Sequence, residues 1–218
     1  MILSLIFFIV VVSSHVVFTL ANPDEKNTIN CGSSIKIKHK ESGFYLFSDA
    51  VQFSQGSQQQ VVTFNKDSAS GLVYWNIQQA FGNSTTCPVG KPIQCGDAIR
   101  LLHTSTKKRL HSHDFRSMIT TRNYQVSAFG DTGQYGVTGG DEGDDWVVHC
   151  KNRFWSEGES FQLKHKTTKR FLTASSSRKY DDSNCPMCPI VGQLEASATT
   201  DLNHLNYLVV QQGVHVLL

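Results

Sequence analysis

The feature that most constrains the fold of this chain is a segment that occurs three times. Copies begin at Cys31, Cys95 and Glu157, and each carries a glycine, two apolar residues two apart, a histidine and a leucine at the same offsets. The matched residues are Gly32, Ile35, Ile37, His39 and Leu46; Gly96, Ile99, Leu101, His103 and Leu110; and Gly158, Phe161, Leu163, His165 and Leu172. A unit of about 60 residues buries its apolar face against its own copies, so the repeat predicts a threefold arrangement.

Each unit is predicted to contain four β-strands. Apolar residues alternate with polar ones at Ile35 and Ile37 and at the equivalent pairs, which is the period of a half-buried strand. Second strands are expected around Leu46, Leu110 and Leu172. Third strands are expected at 60–64, 125–129 and 193–196, and fourth strands at 74–77, 145–148 and 206–210. The pattern predicts an all-β protein.

Twelve strands in three units favour a β-trefoil, in which six strands form a barrel and three hairpins cap it. Closure of the barrel removes the exposed sheet edges that promote aggregation. An open β-sandwich is the alternative, and it is less favoured because it does not require a threefold repeat. We expect residues 22–218 to form one domain, with the repeats at about 31–90, 95–151 and 157–212.

The first 21 residues resemble a secretory signal peptide. Residues 1–20 contain no charged side chain, and small residues precede the expected cleavage after about Ala21. An uncleaved signal anchor is the alternative, although Ser13, Ser14 and His15 interrupt the apolar stretch. On the secretory route Asn83, in the sequence Asn-Ser-Thr, is a predicted glycosylation site.

The charges do not favour nucleic acid as a partner. The formal net charge is +2, with acidic and basic residues interspersed. Nucleic-acid binding requires a basic field, so we expect none.

Four of the six cysteines take repeated positions. Cys31 and Cys95 begin the first strands, and Cys87 and Cys150 follow the fourth strands of the same units. In a trefoil unit these two strands pair antiparallel, so the predicted bonds are Cys31–Cys87 and Cys95–Cys150. The alternative connectivity is Cys31–Cys95 with Cys87–Cys150. Disulfides agree with an oxidising compartment.

The other two cysteines form a C-x-x-C motif in a loop of the third unit. A local Cys185–Cys188 disulfide that pins the loop is the favoured interpretation. A thiol–disulfide site and half of a metal site are the alternatives. Redox motifs of this type work at a helix N-terminus, and no helix is predicted after Cys188. A zinc site would need further ligands, for which His149 and His204 are only nominal candidates.

Histidines and a tryptophan supply the weak binding candidates. His39, His103 and His165 share one offset and could hold zinc, but a structural role at the strand ends is favoured. His111 and His113 lie two apart on one strand face, where packing is favoured over metal binding or a pH response. These two and Trp155, which lies between repeats, are retained as weak candidate binding residues. For Trp155 an exposed contact is the binding interpretation, and packing in the loop is favoured over it. No metal or cofactor is predicted.

Catalysis is not expected of this chain. An active site needs a nucleophile, a base and an orienting group, or paired carboxylates. Ser112 between two histidines and Asp144 with Asp145 do not make such a constellation. The sequence therefore predicts a binding protein, not an enzyme.

The second unit carries a family resemblance. Cys95-Gly96-Asp97-Ala98-Ile99-Arg100-Leu101-Leu102-His103, Arg109-Leu110-His111-Ser112-His113, 125–130 and 144–146 resemble the MIR repeat. Three such repeats with no channel or transferase segment are similar to the free-standing stromal-cell-derived factor 2 family. The resemblance implies a β-trefoil of the endoplasmic reticulum. It also implies a DnaJ-type co-chaperone and its Hsp70 as partners, and unfolded or glycosylated proteins as clients.

The chain departs from that pattern in three places. The third unit has Leu208 where the others have Trp75 and Trp146. The first unit has Phe47 and Asp49 where the second has His111 and His113. The final residues, 214–218, are not a retrieval signal, so residence in the reticulum lumen would depend on a retained partner, and secretion is the alternative. A secreted glycan-binding β-trefoil is accordingly the second functional hypothesis, although the Gln-x-Trp signature of ricin-type lectins is absent.

Overall fold

A computed structural model describes residues 27–82, 87–130 and 139–214. These residues form thirteen β-strands and three short 3₁₀ turns. The strands are β1 (Ser34–His39), β2 (Tyr45–Gln52), β3 (Gln60–Asn65), β4 (Tyr74–Gln79), β5 (Ala98–His103), β6 (Arg109–Arg116), β7 (Tyr124–Phe129), β8 (Trp146–Cys150), β9 (Ser160–His165), β10 (Phe171–Thr173), β11 (Leu194–Glu195), β12 (Ser197–Thr199) and β13 (Leu208–Val214). The all-β prediction is confirmed.

The predicted strands are present in all three units, with one difference. The third strand of the third unit is divided at Ala196 into β11 and β12. The two halves have different partners, since Leu194 and Glu195 pair with β3 whereas Ser197 and Ala198 pair with β7. The change of partner interrupts the ladder, which the sequence pattern did not indicate.

Six strands form a closed ring. The order is β1, β4, β5, β8, β9 and β13, and the last strand pairs with β1 again, with all six pairings antiparallel. The ring is closed by pairs such as Ile37 with Val210 and His39 with Leu208. Each unit contributes its first and last strands, and a closed ring leaves no free edge in these strands.

Three hairpins cover one end of the ring. β2 pairs with β3, β6 with β7, and β10 with β12. The hairpins also pair with one another, through β3 with β7, β7 with β12, and β11 with β3. The cap therefore has the same cyclic connectivity as the ring beneath it.

The core lies inside the ring and under the cap. Trp75 and Trp146 occupy equivalent places on β4 and β8, and both are fully buried. Each indole Nε1–H donates a hydrogen bond across the core, to the carbonyl oxygens of Leu46 and Leu110 at 3.0 Å. Leu208 occupies the same place in the third unit and is also buried. These equivalent fourth-strand residues therefore form part of the core.

Three disulfides are present. The bonds Cys31–Cys87 and Cys95–Cys150 join the first strand of a unit to the segment after its fourth strand, as predicted. The alternative connectivity is therefore wrong. The third bond, Cys185–Cys188, lies in the loop between β10 and β11.

Two predictions lie outside the described residues, namely the signal peptide at 1–21 and the glycosylation site at Asn83. Among the described residues, no helix has the length and apolar character needed to cross a bilayer.

Candidate functional site

The three repeated histidines are buried, and each one is hydrogen-bonded to the preceding unit. We call these three histidines, with their hydrogen bonds, the histidine latches. In His39, His103 and His165 the Nδ1 atom lies 2.8–2.9 Å from the hydroxyl oxygen of Ser42, Thr106 or Thr168. The Nε2 atom lies 2.9 Å from a carbonyl oxygen in the 3₁₀ turn of the preceding unit, at Leu205, Leu72 or Gly143 respectively. A carbonyl can only accept, so Nε2 carries the proton and Nδ1 accepts from the hydroxyl.

This bonding leaves the three histidines neutral and occupied. Burial lowers the pKa of His39 and His103, and lowers the pKa of His165 to about 4. Both ring nitrogens of each histidine have a protein partner, so neither is available to a metal. The arrangement supports the structural role favoured by the sequence over a zinc site.

At one pair of equivalent positions the three units carry different types of residue. The pair combines a residue on the second strand with the last residue of the 3₁₀ turn. In the first unit the pair is Phe47 and Val73, which belong to one apolar cluster. The third unit has Thr173 and Asn206, and the second has His111 and Asp144. Because the repeated scaffold does not require these residue types, their divergence marks the second unit as the candidate site.

The His111 and Asp144 pair is built by a tight turn. Asp141 caps the 3₁₀ turn Glu142–Asp144, and the Asp144 carboxylate accepts a hydrogen bond from the Asp141 N–H at 3.0 Å. This capping box fixes the buried Asp144 side chain beneath β6. The other Asp144 oxygen lies 3.0 Å from Nδ1 of His111, and an Asp141 oxygen lies 3.5 Å from it.

Arg109 provides positive charge close to His111 and Asp144. It is fully buried, and its Nε–H donates to Oε1 of Gln78 at 3.2 Å. Burial lowers the pKa of Arg109, and the negative charge of Asp144 opposes that effect. A buried carboxylate requires nearby positive charge, and the charges of Arg109 and of the buried Arg100 both interact with Asp144. We call Arg109, His111 and Asp144 the charge-balanced group.

The same group contains potential metal ligands. One ligand atom each from His111, Asp141 and Asp144 lies within 4.8 Å of the others. A cation here would share Asp144 with the positive charge of Arg109 and would displace the His111–Asp144 hydrogen bond. We therefore interpret the group as structural and electrostatic, and derive no metal chemistry from it.

A row of rings on β6 and β7 connects this group to the surface. We call His111, His113, Phe115 and Phe129 the aromatic stripe. Successive ring centroids along β6 are 5.1 Å and 4.5 Å apart, and the His111 and Phe129 centroids are 5.0 Å apart. His111 is buried, His113 is partly exposed, and Phe115 and Phe129 are 42% and 37% exposed. The stripe therefore passes from the core to solvent.

The ring of His113 is held near its neutral form. Burial lowers its pKa, and the nearby His111 lowers it further. His113, Phe115 and Phe129 can therefore present an uncharged surface at neutral pH, suited to contact with apolar or aromatic groups. Among the candidate residues of the sequence, His111 and His113 are thus brought together, and the structure adds Phe115 and Phe129.

The interpretation of Trp155 as an exposed contact is wrong. Its side chain is 0% exposed, and its ring centroid lies 4.7 Å from that of Phe161. The backbone N–H of Ile29 donates to Trp155, that of Trp155 to Ile93, and that of Ile93 to Ile29, at 2.8–2.9 Å. These three residues, each two positions before a repeat start, form a closed triangle of hydrogen bonds. Extending the repeat by two positions would have identified Trp155 as a core residue.

Ser112 has a structural partner, although it lies between two histidines. Its hydroxyl donates to the carbonyl oxygen of Gln125 at 2.8 Å, and the side chain is fully buried. Ser48 makes the equivalent bond to Val61 in the first unit. The serine therefore belongs to the hairpin scaffold.

Comparison with known proteins places these features in a family. The chain is 33% identical over 188 residues to stromal cell-derived factor 2-like protein 1 of Mus musculus, an alignment that covers 86% of this chain and 78% of that protein. The crystal structure of the SDF2-like protein from Arabidopsis thaliana is similar at a TM-score of 0.78 and 30% identity, covering 88% of this chain and 98% of that one.

A more distant likeness concerns the fold alone. One chain of the Pmt1-Pmt2 protein O-mannosyltransferase complex of S. cerevisiae is similar to this chain at a TM-score of 0.71 and 24% identity. The match covers 89% of this chain and 27% of that chain. No protein-family model matches the sequence. The match to the curated relative extends over most of both proteins. The chain therefore belongs to the stromal cell-derived factor 2 family.

Proposed function

We propose that this protein is a β-trefoil of three MIR repeats that acts as a non-enzymatic adaptor or client-binding component of a DnaJ/Hsp70 chaperone complex in the endoplasmic reticulum. The observation that carries the proposal is the match to stromal cell-derived factor 2 relatives over most of the chain. The proposal does not rest on similarity to a catalytic domain.

The connectivity supports the trefoil part of the proposal. A six-stranded ring closes through β13 and β1, and the three hairpins pair cyclically above it. The histidine latches relate each unit to its neighbour by the same pair of bonds. Such a scaffold is rigid, and it presents function on its strand faces and loops.

Contact with polypeptide is assigned to the aromatic stripe. Its outer members, Phe115 and Phe129, are exposed although they are large and apolar. Aromatic side chains on a rigid strand bury a large area with little loss of conformational entropy. The stripe suits a co-chaperone or the apolar segments of an unfolded client.

Residence in the secretory pathway is part of the same proposal. The apolar N-terminus and the three disulfides both agree with an oxidising compartment. A mature N-terminus at about Asn22, measured by mass spectrometry of the protein from cells, would support it. Retention of residues 1–21 on the mature protein would count against a cleaved signal.

A co-purification experiment tests the chaperone role. The tagged full chain is expressed in cells, and lumenal extracts are examined for a DnaJ-type co-chaperone and its Hsp70. The variant His113→Ala/Phe115→Ala should reduce recovery of both about tenfold or more, since central aromatic contacts contribute most to such interfaces.

The matched control carries Asp49→Ala and Leu202→Ala. Asp49 is the first-unit equivalent of His113, and Leu202 is an exposed apolar residue elsewhere. The control should recover both partners as the unmodified protein does. Absence of both partners with every form of the protein would refute the chaperone role. Equal recovery with both variants would remove the stripe as the contact.

Glycan binding is the second candidate function, and a polar cavity favours it. The cavity of about 160 Å³ lies between the second and third units. Its lining includes Arg122, Arg178, Asn123 and the hydroxyl-bearing residues Thr173, Ser175 and Thr199. Hydroxyl, amide and guanidinium groups match the hydroxyl groups of a sugar.

A glycan array tests this candidate. Binding that falls about tenfold in Arg178→Ala but persists in Arg153→Ala, which lies outside the cavity, would support it. An array without signal for the correctly folded, disulfide-bonded protein would exclude it.

A further inference from the structure

The third unit carries an insertion at the tip of its hairpin. The second and third strands are connected by residues 53–59 in the first unit and 117–123 in the second, but by residues 174–193 in the third. Tyr180 closes the base of the insertion, because its N–H donates to Gln193 and its carbonyl accepts from Gly192 at 2.8–2.9 Å. Residues 181–192 therefore form a separate loop, which we call the cysteine loop.

The cysteine loop is held by hydrogen bonds and by an apolar cluster, against which Cys185 and Cys188 also pack. The Asp181 carboxylate accepts from the N–H groups of Ser183 and Asn184 at 2.9 Å and 3.2 Å. The Asn184 side chain donates to the carbonyl oxygen of Lys179 at 3.0 Å. Tyr180 and Ile190 are buried in a small apolar cluster with partners from the first unit. The loop is thus anchored on both sides of the disulfide.

The Cys185–Cys188 bond adds less constraint to the chain than either of the other two disulfides. It joins residues only three apart, whereas the other bonds join residues 56 and 55 apart. The contribution of a disulfide to stability rises with the length of the loop it closes. Reduction of Cys185–Cys188 is therefore compatible with an intact barrel.

The two cysteine pairs of the barrel differ from Cys185 and Cys188 in how strongly the backbone holds the two thiols together. Backbone hydrogen bonds hold these cysteines in place without the sulfur atoms: Cys31 is bonded to Gly90 and Lys91, just after Cys87, and Gly96 donates to Val148, just before Cys150. Thiols held together in this way re-form their bond readily. Cys185 and Cys188 lie on a turn that has one backbone bond between them, from the Cys188 N–H to the Cys185 carbonyl at 3.2 Å. The turn holds its thiols together less strongly.

The cysteine loop also gives a thiol space to reach the sulfur atoms. Cys185 and Cys188 are both partly exposed, and Met187 between them is 96% exposed. Both cysteines line a cavity of about 370 Å³, together with Phe53, Met118 and other residues. Attack on a disulfide requires access to one sulfur along the line of the S–S bond, and the cavity provides room beside it.

We propose that Cys185–Cys188 is an exchangeable disulfide that oxidises thiol pairs in the secretory pathway. A partner thiolate attacks one of the two sulfurs, the S–S bond breaks, and the other cysteine leaves as a thiolate that takes a proton from water. The second partner thiol then loses its proton and attacks the partner sulfur of the mixed disulfide, whose S–S bond breaks, and the protein cysteine leaves as a thiolate that also takes a proton from water. The partner gains a disulfide and loses two electrons, and Cys185 and Cys188 become a dithiol.

Glutathione disulfide, a small-molecule disulfide, restores the bond by the reverse exchange. A turn, and not a helix, follows Cys188 before β11 in the described structure. The loop therefore lacks the helix N-terminus at which C-x-x-C thiols of redox enzymes are activated. The expected activity is stoichiometric exchange, which is separate from the binding function proposed above.

Equilibration with glutathione tests the reducibility of the bond. The folded, full-length protein is incubated in buffers of increasing reduced-to-oxidised glutathione, the thiols are alkylated, and each cysteine pair is quantified by mass spectrometry. Cys185–Cys188 should be half reduced in a buffer at least about tenfold less reducing than either barrel disulfide requires. Circular dichroism should remain unchanged at that point. Reduction of all three bonds together, or of this bond only on unfolding, would overturn the proposal.

Oxidation of a peptide tests whether the thiol partner is a polypeptide or a small molecule. A reduced synthetic peptide with two cysteines is mixed with the oxidised protein. Peptide disulfide should form in the unmodified protein and in Met187→Ala, and should be lost in Cys185→Ser/Cys188→Ser. Exchange with glutathione alone would assign a small thiol as the partner, and exchange with the peptide would assign a polypeptide. Exchange with neither would overturn the proposal.

The double serine variant also separates this proposal from the chaperone role. It should retain the co-chaperone and Hsp70 in co-purification while losing exchange. Loss of exchange with retained binding supports both proposals. Loss of exchange only together with loss of the fold would contradict the independence of the loop from the barrel.

Discussion

The Nε2 atom of His39 lies 2.9 Å from the carbonyl oxygen of Leu205, although the two residues are 166 positions apart in the chain. His103 and His165 make the equivalent bonds to the first and second units. Of the three latches, the His39 bond is the one that joins the last unit to the first. It completes a cycle that the strand pairing of β13 with β1 also completes.

The latch at His165 predicts a pH-dependent stability. Its pKa is about 4 in the folded protein and 6.5 in an unfolded chain, so the unfolded state binds the proton first as the pH falls. The contribution of neutral His165 is complete above pH 6.5 and is lost between 6.5 and about 4. The free energy of unfolding should fall by about 3 kcal/mol over that range from this residue. Urea unfolding at several pH values measures it.

The control for the pH prediction is His165→Gln, which retains an N–H donor but does not titrate. Its stability should be lower at pH 7, and its slope against pH should be smaller than that of the unmodified protein. Equal slopes between pH 6.5 and 4 would mean that His165 is not a buried neutral latch.

The barrel disulfides should dominate the stability that crosslinks provide. Cys31→Ser/Cys87→Ser removes a bond between residues 56 apart, and the free energy of unfolding should fall by about 4 kcal/mol. Cys185→Ser/Cys188→Ser removes a bond between residues three apart and should cost about 2 kcal/mol. Denaturant titration compares the two variants. An equal or larger loss in the second variant would contradict the anchoring of the cysteine loop.

The charge-balanced group should be replaceable only as a whole. Asp144→Val removes the carboxylate whose negative charge acts on the buried Arg109 and Arg100, and it should cost about 3 kcal/mol or more. The triple variant Arg109→Tyr/His111→Phe/Asp144→Val reproduces Tyr45, Phe47 and Val73 of the first unit, which pack together. It should recover most of that loss, as thermal unfolding would show. A triple variant less stable than the single one would mean that the units are not interchangeable at this place.

Replacement of a core tryptophan by leucine, the residue at the equivalent position of the third unit, should destabilise the protein. Trp146→Leu copies Leu208, but it removes the Nε1–H bond to Leu110 and leaves unfilled volume. The expected cost is about 3 kcal/mol, measured by denaturant unfolding followed by circular dichroism. Trp146→Phe should cost less because it retains more of the ring volume. A neutral Trp146→Leu would indicate that the second unit repacks freely.

Much of the fold was predictable because the repeat is a property of the sequence itself. The alternation at Ile35 and Ile37 fixed the buried face of β1, and the same offsets located β5 and β9. The pairing Cys31–Cys87 followed from strand order within a unit. The division at Ala196 was not predictable, because it depends on which strands of other units lie beside β11 and β12.

The candidate site was only partly predictable. The spacing of His111 and His113 placed both on one strand face, but the contact of His111 with Phe129 depends on the register of β6 against β7. The pairing of His111 with Asp144 joins residues 33 apart and depends on a capped turn that has no strong sequence signal. Trp155 was misinterpreted because its place at the barrel end is set by Ile29 and Ile93, which precede the aligned repeat.

The closed cycle of three units is the central claim, and the protonation of His39 tests it most directly. Nitrogen-15 NMR of the histidine rings between pH 8 and 5 reports the tautomer and the titration of each ring. We expect His39, His103 and His165 all to be neutral with the proton on Nε2, and His39 to titrate below the ordinary value of 6.5. A His39 ring that titrates as a free histidine, while His103 and His165 do not, would show that the third unit is not latched to the first.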